Sequence, residues 1–428
     1  MDDPGVPVHQ HHRQPIHTVY GGAHLFRADT AARLGATALK ALHEYAPGNV
    51  TLAAALGISE GLADRIYNRI VEKLEREPVE DFRLDYEDGY GNRPDAEEDG
   101  HARSAARELA SAVAAGSAPP FVGIRIKPLT DELRERSIRT LDLFISTLLD
   151  ATGTRVPVNF VVTLPKITSP GQPRTLADLF DAKERAAGLA PGSLRMELMV
   201  ETPQSIFDER GNGALPALVD AGRGRIVAAH FGTYDYTASL GITAAYQHMR
   251  HPACDFARHV MQVSLAGTGV WLSDGATNVL PVPLHRARAA ETLTDAQLAQ
   301  NRDAIHRAWK LHYDDVRHSL VHAYYQGWDL HPAQLVTRYA AVYAFFLESL
   351  DAASERLRNF IGKAAQATLV GEVFDDAATG QGLLNFFLRA LNCGAVREEE
   401  IEKLTGLTLD ELRSGSFVTI VKTRREEC

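Results

Sequence analysis

The chain has 428 residues, 45% of them hydrophobic and 23% charged, with a formal net charge of −10. That balance describes a globular protein able to bury a core without disulfides, and acidic residues spread along the chain with no basic stripe argue against nucleic-acid binding. No apolar run reaches the roughly 18 residues of a membrane-crossing helix, and Cys254, Cys393 and Cys428 fit neither a metal spacing nor a disulfide framework, which suits a reducing, cytoplasmic compartment.

In chain order, the opening MDDPGVPVHQHHRQP lacks the positive start and apolar stretch of a signal peptide. Residues 1–14 read as a flexible arm, on which His9, His11 and His12 have no fixed geometry for a metal. Short apolar, β-branched segments then recur at 18–20, 82–85, 121–126, 159–164, 196–201, 226–231, 270–272 and 328–330. Between them lie stretches of helical period. In one, Ala102, Ala105, Ala106, Leu109, Ala110 and Val113 share a helix face, and Gly116 with Pro119 and Pro120 ends it. Residues 242–252 and 278–292 read as long loops. From about residue 353 the pattern is purely helical, through 383–391, 398–404 and 409–412. Eight β units separated by helices predict a parallel sheet closed into a (β/α)8 TIM barrel over 15–350, with a C-terminal helical extension over 351–428. An open doubly wound sheet is the alternative; no G-x-G-x-x-G turn follows any strand to support its dinucleotide-binding form.

In such a barrel the C-terminal strand ends converge on one face, so residues distant in sequence meet there. Strand two ends in Asp85, Glu87 and Asp88 (LDYEDGYG), strand three carries Arg125 (GIRIKP) and strand four leads to Lys166 (LPKI). Strand five ends in Glu201 (MVETP), strand six runs into Asp235 (FGTYDYTASLG), strand seven ends at Asp274 and strand eight at His331. Magnesium prefers hard oxygen ligands and leaves positions for water or substrate, so one or two carboxylates suffice; Glu201 and Asp235, on neighbouring strands, are the best candidates. Asp85, Glu87 and Asp88 would orient the water around the ion, and the planar fork of Arg125 suits a substrate carboxylate or a developing oxyanion. Each residue also has a structural reading. A carboxylate at a strand end serves as a helix cap or ion pair, Arg125 among apolar residues is an interior salt-bridge partner, Lys166 closes the barrel with an ion pair, Asp274 before Gly275 is a turn residue, and His331 before Pro332 is structural.

The segments LDYEDGYG, GIRIKP, LPKI, ETPQSIFD, FGTYDYTASLG and GWDLHPAQ occur in the order seen in the HpcH/HpaI aldolase and citrate lyase β-subunit superfamily, which includes malyl-CoA lyases and, more distantly, malate synthases. The resemblance covers residues 15–346. It implies magnesium (or manganese) at Glu201 and Asp235, Arg125 on the substrate carboxylate and keto oxygen, and an acidic triplet near the metal, with Arg125, Glu87 and Asp88 acting in the chemistry. Lys166, Gly232 and Thr233 are expected to line the substrate pocket. The implied activity is aldol or Claisen cleavage or condensation of a small 2-oxo or 2-hydroxy acid, or its CoA ester, through a metal-stabilised enolate, in a trimer or hexamer. Lys127 stands where many relatives have asparagine, Pro203 replaces a smaller residue, and Trp328 and Asp329 follow Gly327 where a lysine often precedes the His-Pro motif. The loop after strand six and the C-terminal extension, parts that shape the acyl-donor site in relatives, are unusually long, which puts the CoA ester in question.

The leading expectation is therefore a lyase releasing pyruvate, glyoxylate or oxaloacetate, its general acid or base being a water on the metal, Asp274, or a residue of a neighbouring subunit. Thioester hydrolysis or malate synthase-like condensation keeps the fold and changes the reaction. A third reading is a barrel that binds a 2-oxo acid as a sensor or assembly subunit without turnover.

Overall fold

The computed structural model describes residues 13–287, 292–366 and 377–427. Eight parallel strands pair in chain order and close on themselves: β1 (His17–Gly22), β2 (Asp81–Asp85), β3 (Phe121–Arg125), β4 (Phe160–Leu164), β5 (Arg195–Val200), β6 (Ile226–Phe231), β7 (Trp271–Ala276) and β8 (Gln326–Asp329). The pairing of β1 with β8, His17 opposite Gly327, seals the barrel and rules out the open sheet. Every expected strand is present, most with ends moved by one or two residues. The exception is β7, expected to stop at Leu272, because Ser273-Asp274-Gly275 reads as a turn. It continues because those polar groups are paired within the packing: Asp274 accepts from Arg258 Nη1 at 2.9 Å, from Ser319 Oγ at 2.5 Å and from the Gly275 amide at 2.8 Å. Asp274 is thus an interior strand residue, neither a turn nor a group at a strand end.

The barrel centre is polar. Arg83 lies in the middle of β2, 1% exposed, and gives Nε and Nη2 to the Glu197 carboxylate on β5 at 3.0 and 2.5 Å. Its Nη1 pairs with Asp81, Thr163 bonds both Arg83 and Glu197, and His230 Nε2 stands 3.2 Å from Glu197. The strands carrying this layer approach closely. A Cβ on Gly123 would come within 2.2 Å of the Val161 carbonyl oxygen, so only glycine fits β3 there.

Five helices follow the last barrel helix (Gln334–Glu348): Leu350–Gln366, Ala377–Asn392, Glu398–Thr405, Leu409–Ser414 and Phe417–Glu427. They lie against the face opposite the C-terminal strand ends. Phe386 meets Phe346 edge-on, centroids 5.3 Å apart, and Arg389 stacks over Tyr325 at 3.8 Å. A cavity of about 360 Å³ remains between this layer and the starts of β7 and β8, lined in part by Gln14, Trp271, Tyr325 and Arg389. The expected arm overlaps the described chain at Arg13 and Gln14. Both are tied down, Arg13 to Glu80 at 2.8 Å and Gln14 to the Leu272 carbonyl at 3.0 Å. Residues 1–12, with His9, His11 and His12, lie outside the described residues, as does part of the 278–292 loop. The 242–252 loop carries one 3-10 turn (Ala244–Tyr246), and Pro252 already begins the next helix.

Removing one partner of a buried ion pair strands the other. Glu197→Gln, nearly isosteric, should therefore cost about 3 kcal/mol, read as a lower urea midpoint with an unchanged denaturant slope. An unchanged midpoint would mean that the central charge layer is not what holds the strands together.

Candidate active site at the barrel mouth

The turn after β2 wraps its own carboxylate. Asp85 accepts hydrogen bonds from the amides of Glu87 (2.9 Å) and Gly89 (2.7 Å), and a Cβ on Gly89 would lie 2.6 Å from Asp85 Oδ2. The same carboxylate takes Nε and Nη2 of Arg125 at 2.7 and 2.5 Å, a bidentate pair between groups 1% and 2% exposed. Tyr20 and Trp328, their ring centroids 4.2 Å apart, pack on one side of the guanidinium at 4.9 and 5.3 Å from its carbon, so the fork is backed by aromatic rings as well as held by charge. One corner is left over. Arg125 Nη1 is 3.0 Å from Glu87 Oε2 but not aligned for a hydrogen bond, and both atoms are buried without one.

Lys166, the second residue past β4, has φ of +49°, a left-handed backbone that costs a non-glycine residue about 1 kcal/mol. This turns its amide onto Glu201 Oε1 at 2.7 Å, while its ammonium pairs with Glu87 and stands 3.1 Å from Asp235 and 3.4 Å from Asp88. Glu201 itself is 2% exposed, and no cation lies within salt-bridge distance of it among the described residues. Burial pushes its pKa up to about 8; the Lys166 charge opposes the rise and the Asp235 carboxylate adds to it. Burial likewise raises Glu87, against the pull of Arg125. Gly232 makes room for this group: a Cβ there would meet Glu201 Cβ at 2.5 Å and Oε2 at 2.6 Å.

A hard divalent cation fits this donor set. Glu201 is a buried carboxylate short of positive charge, Asp235 is a half-exposed second oxygen donor beside it, and the remaining positions are open to water or substrate.

The strand-end candidates separate into those that meet and those that do not. Glu87, Asp88, Arg125, Lys166, Glu201 and Asp235 share one network at the mouth. Asp235 arrives from the first turn of the Thr233–Ser239 helix rather than from the strand itself. Asp85 does not orient water; its oxygens are taken by Arg125 and the turn amides. Thr233 is buried and turns its hydroxyl to Met249 Sδ at 3.0 Å, away from the carboxylates, so its side chain is not a pocket wall. Asp274, held by Arg258 and Ser319, is removed as an acid or base. His331 Nδ1 accepts the Ala333 amide at 3.2 Å, a local cap. Lys127 points behind the mouth, bonding the Tyr86 carbonyl (2.8 Å) and Glu98 (2.7 Å). Sequence reasoning missed Tyr20 and the role of Trp328, since an aromatic residue in a strand ordinarily belongs to the core.

Two outcomes follow from the buried carboxylate. With its pKa raised from 4.5 to about 8, Glu201 contributes stability that is full below pH 4.5 and lost as pH climbs through 8. Metal-free Glu201→Gln should therefore be more stable than the parent at pH 9, by on the order of 2 kcal/mol, with the two converging at pH 4.5 in thermal melts; equal stability at both pH values would refute the burial argument. Gly232→Ala should weaken magnesium binding at least tenfold by calorimetry, because the new methyl group takes the space of the Glu201 side chain, and undiminished affinity would show that Glu201 is not a ligand.

A family model described as "Domain of unknown function (DUF6986)" matches residues 4–420. No curated protein matches the sequence significantly. Among solved structures, a citrate lyase from Burkholderia xenovorans LB400 is similar with a TM-score of 0.53 at 18% identity, over 89% of this chain and 96% of that one. A malate synthase from Haloferax volcanii in a magnesium/glyoxylate complex gives 0.46 at 15% identity, over 97% and 99% of the two chains. The citrate lyase β subunit from Mycobacterium tuberculosis, complexed with oxaloacetate and magnesium, gives 0.41 at 15%, over 78% and 99%. The citrate lyase likeness is one of fold. With the family model spanning nearly its whole length, the chain belongs to the DUF6986 family.

Proposed function

We propose that the protein is a magnesium-dependent carbon–carbon lyase or condensing enzyme acting on a small 2-oxo or 2-hydroxy acid. One observation carries this reading: the same barrel mouth holds a buried carboxylate short of a cation, Glu201, and a buried guanidinium corner short of an acceptor, Arg125 Nη1. A 2-oxo acid bound with magnesium answers both needs, its carboxylate bringing the acceptor and the ion the missing charge.

Glu201 and Asp235 would hold the ion, which when bound supplies Lewis-acid stabilisation of the enolate formed as the carbon–carbon bond breaks or forms. Arg125 binds the substrate carboxylate through Nη1 while Asp85 keeps the other edge of its fork engaged; Nη1 is buried 3.0 Å from Glu87 Oε2, so the substrate carboxylate takes the place of the Glu87 oxygen there. Tyr20 and Trp328 exclude water from the side of the guanidinium that they cover. Lys166 keeps Glu201 oriented through its amide. Glu87, its pKa raised by burial and by the neighbouring Asp88 charge against the pull of Arg125, holds or delivers a proton.

Enolisation is the partial reaction to measure. In D2O with magnesium, the methyl group of pyruvate should exchange its protons, followed by proton NMR, and omission of magnesium should stop the exchange. Glu201→Gln and Asp235→Asn should each slow it by on the order of 100-fold, and Arg125→Lys should raise KM more than it lowers kcat because a point charge replaces a fork. If the wild type with magnesium exchanges neither pyruvate nor the methylene of oxaloacetate, the lyase reading fails.

A further inference from the structure

A second group of ligands lies away from the mouth, where the helix Pro252–Leu265 meets the end of the helix Asp295–Val321. Asp255, His318 and His322 each bring one ligand atom within 4.8 Å of the others, and all three are half-buried. Their spacing follows from helix geometry. His318 and His322 are four residues apart and so share a face, as do Asp255 and His259 on the facing helix. The His318 and His322 ring centroids are 4.3 Å apart, and that of exposed His259 is 5.5 Å from His322.

The hydrogen bonds orient these groups for a cation. His322 Nδ1 donates to the His318 carbonyl at 2.8 Å, which fixes the tautomer and leaves the Nε2 lone pair free, the arrangement that metal-binding histidines take from a backbone carbonyl. His318 Nε2 and Asp255 Oδ1 are 2.8 Å apart, with a proton between them in the place where an ion would bridge. Arg258 pairs with Asp255 and so fixes that carboxylate in turn, and Gln262 Nε2 bonds the His322 carbonyl at 2.5 Å, holding the two helices in register. Among the described residues this is the one set of three or more His, Cys, Asp or Glu ligand atoms that converge for a metal. None of these residues takes part in the network at the mouth.

We infer that Asp255, His318 and His322 form a binding site for a borderline divalent transition ion of the zinc class, stapling these two outer helices together. Two imidazole nitrogens and one carboxylate suit zinc, which takes nitrogen and oxygen donors with near-tetrahedral geometry, and disfavour magnesium, which prefers oxygen. The fourth position is open to water or to His259. The site is separate from the oxygen-donor pair Glu201 and Asp235, so its fate does not depend on the lyase reading.

Cobalt(II) is the probe, because tetrahedral sites give it an intense visible absorption that octahedral oxygen sites lack. The full-length chain, stripped with a chelator and held in excess magnesium, should develop that band with one equivalent of cobalt and lose it when zinc is added. His318→Ala and His322→Gln should each abolish the band. Glu201→Gln should keep it, as should a variant with His9, His11 and His12 all changed to alanine. No band in the wild type, a band surviving both His318 and His322 substitutions, or a band lost with the three N-terminal histidines would each overturn the proposal. Should a variant fold poorly, the wild type decides: zinc should protect His318 and His322 from diethylpyrocarbonate, read by peptide mass spectrometry, and equal modification with and without zinc would count against the site.

Discussion

Two guanidinium groups, those of Arg83 and Arg125, stand inside the barrel almost entirely out of water, and the arrangement of the strands follows from how each is neutralised. A buried charge is tolerable only when paired and hydrogen-bonded in good geometry. Arg83 meets this with Asp81 and Glu197, which ties β2 to β5 across the interior. Arg125 meets it with Asp85 on the adjacent strand, and the register that puts Asp85 beside Arg125 is the register that closes β2 on β3. The lower pairing is complete and the upper one is not. Arg83 Nε and both terminal nitrogens have partners, whereas Arg125 keeps one nitrogen without a hydrogen bond where the barrel opens.

The network at the mouth is arranged around Lys166. Its backbone is held in a strained conformation so that the amide and the ammonium can address different carboxylates, Glu201 with one and Glu87, Asp88 and Asp235 with the other. Strain of this kind persists where the surroundings over-determine it, and it is concentrated at functional sites. The ammonium stands among three carboxylates, the same region in which a divalent cation would be favoured, so cation binding and the position of this side chain are electrostatically coupled.

The strands and the acids at their ends were legible because apolar β-branched runs and strand-end polar residues leave a clear trace at the level of the chain. The barrel interior was not. Arg83, Thr163, Glu197 and His230 alternate with apolar neighbours in the way that solvent-facing residues do, and only closure of the sheet turns that polar face inward. Asp274 shows another failure: read as a strand-end or turn residue, it lies inside β7 with its side chain committed to Arg258 and Ser319. Thr233 likewise sits in the right motif and faces Met249. Position along the chain locates a residue on the barrel; which way it points depends on partners contributed by distant segments.

The layer of helices covers the starts of the strands, on the side away from the acidic mouth. Gln14 reaches Leu272, Gln326 and Arg389, so the beginning of the barrel and its late helices are fastened to one another beneath the floor. A chain cut after the last barrel helix would bare Phe346 and its neighbours to solvent, leaving an adhesive apolar face where Phe386 now packs.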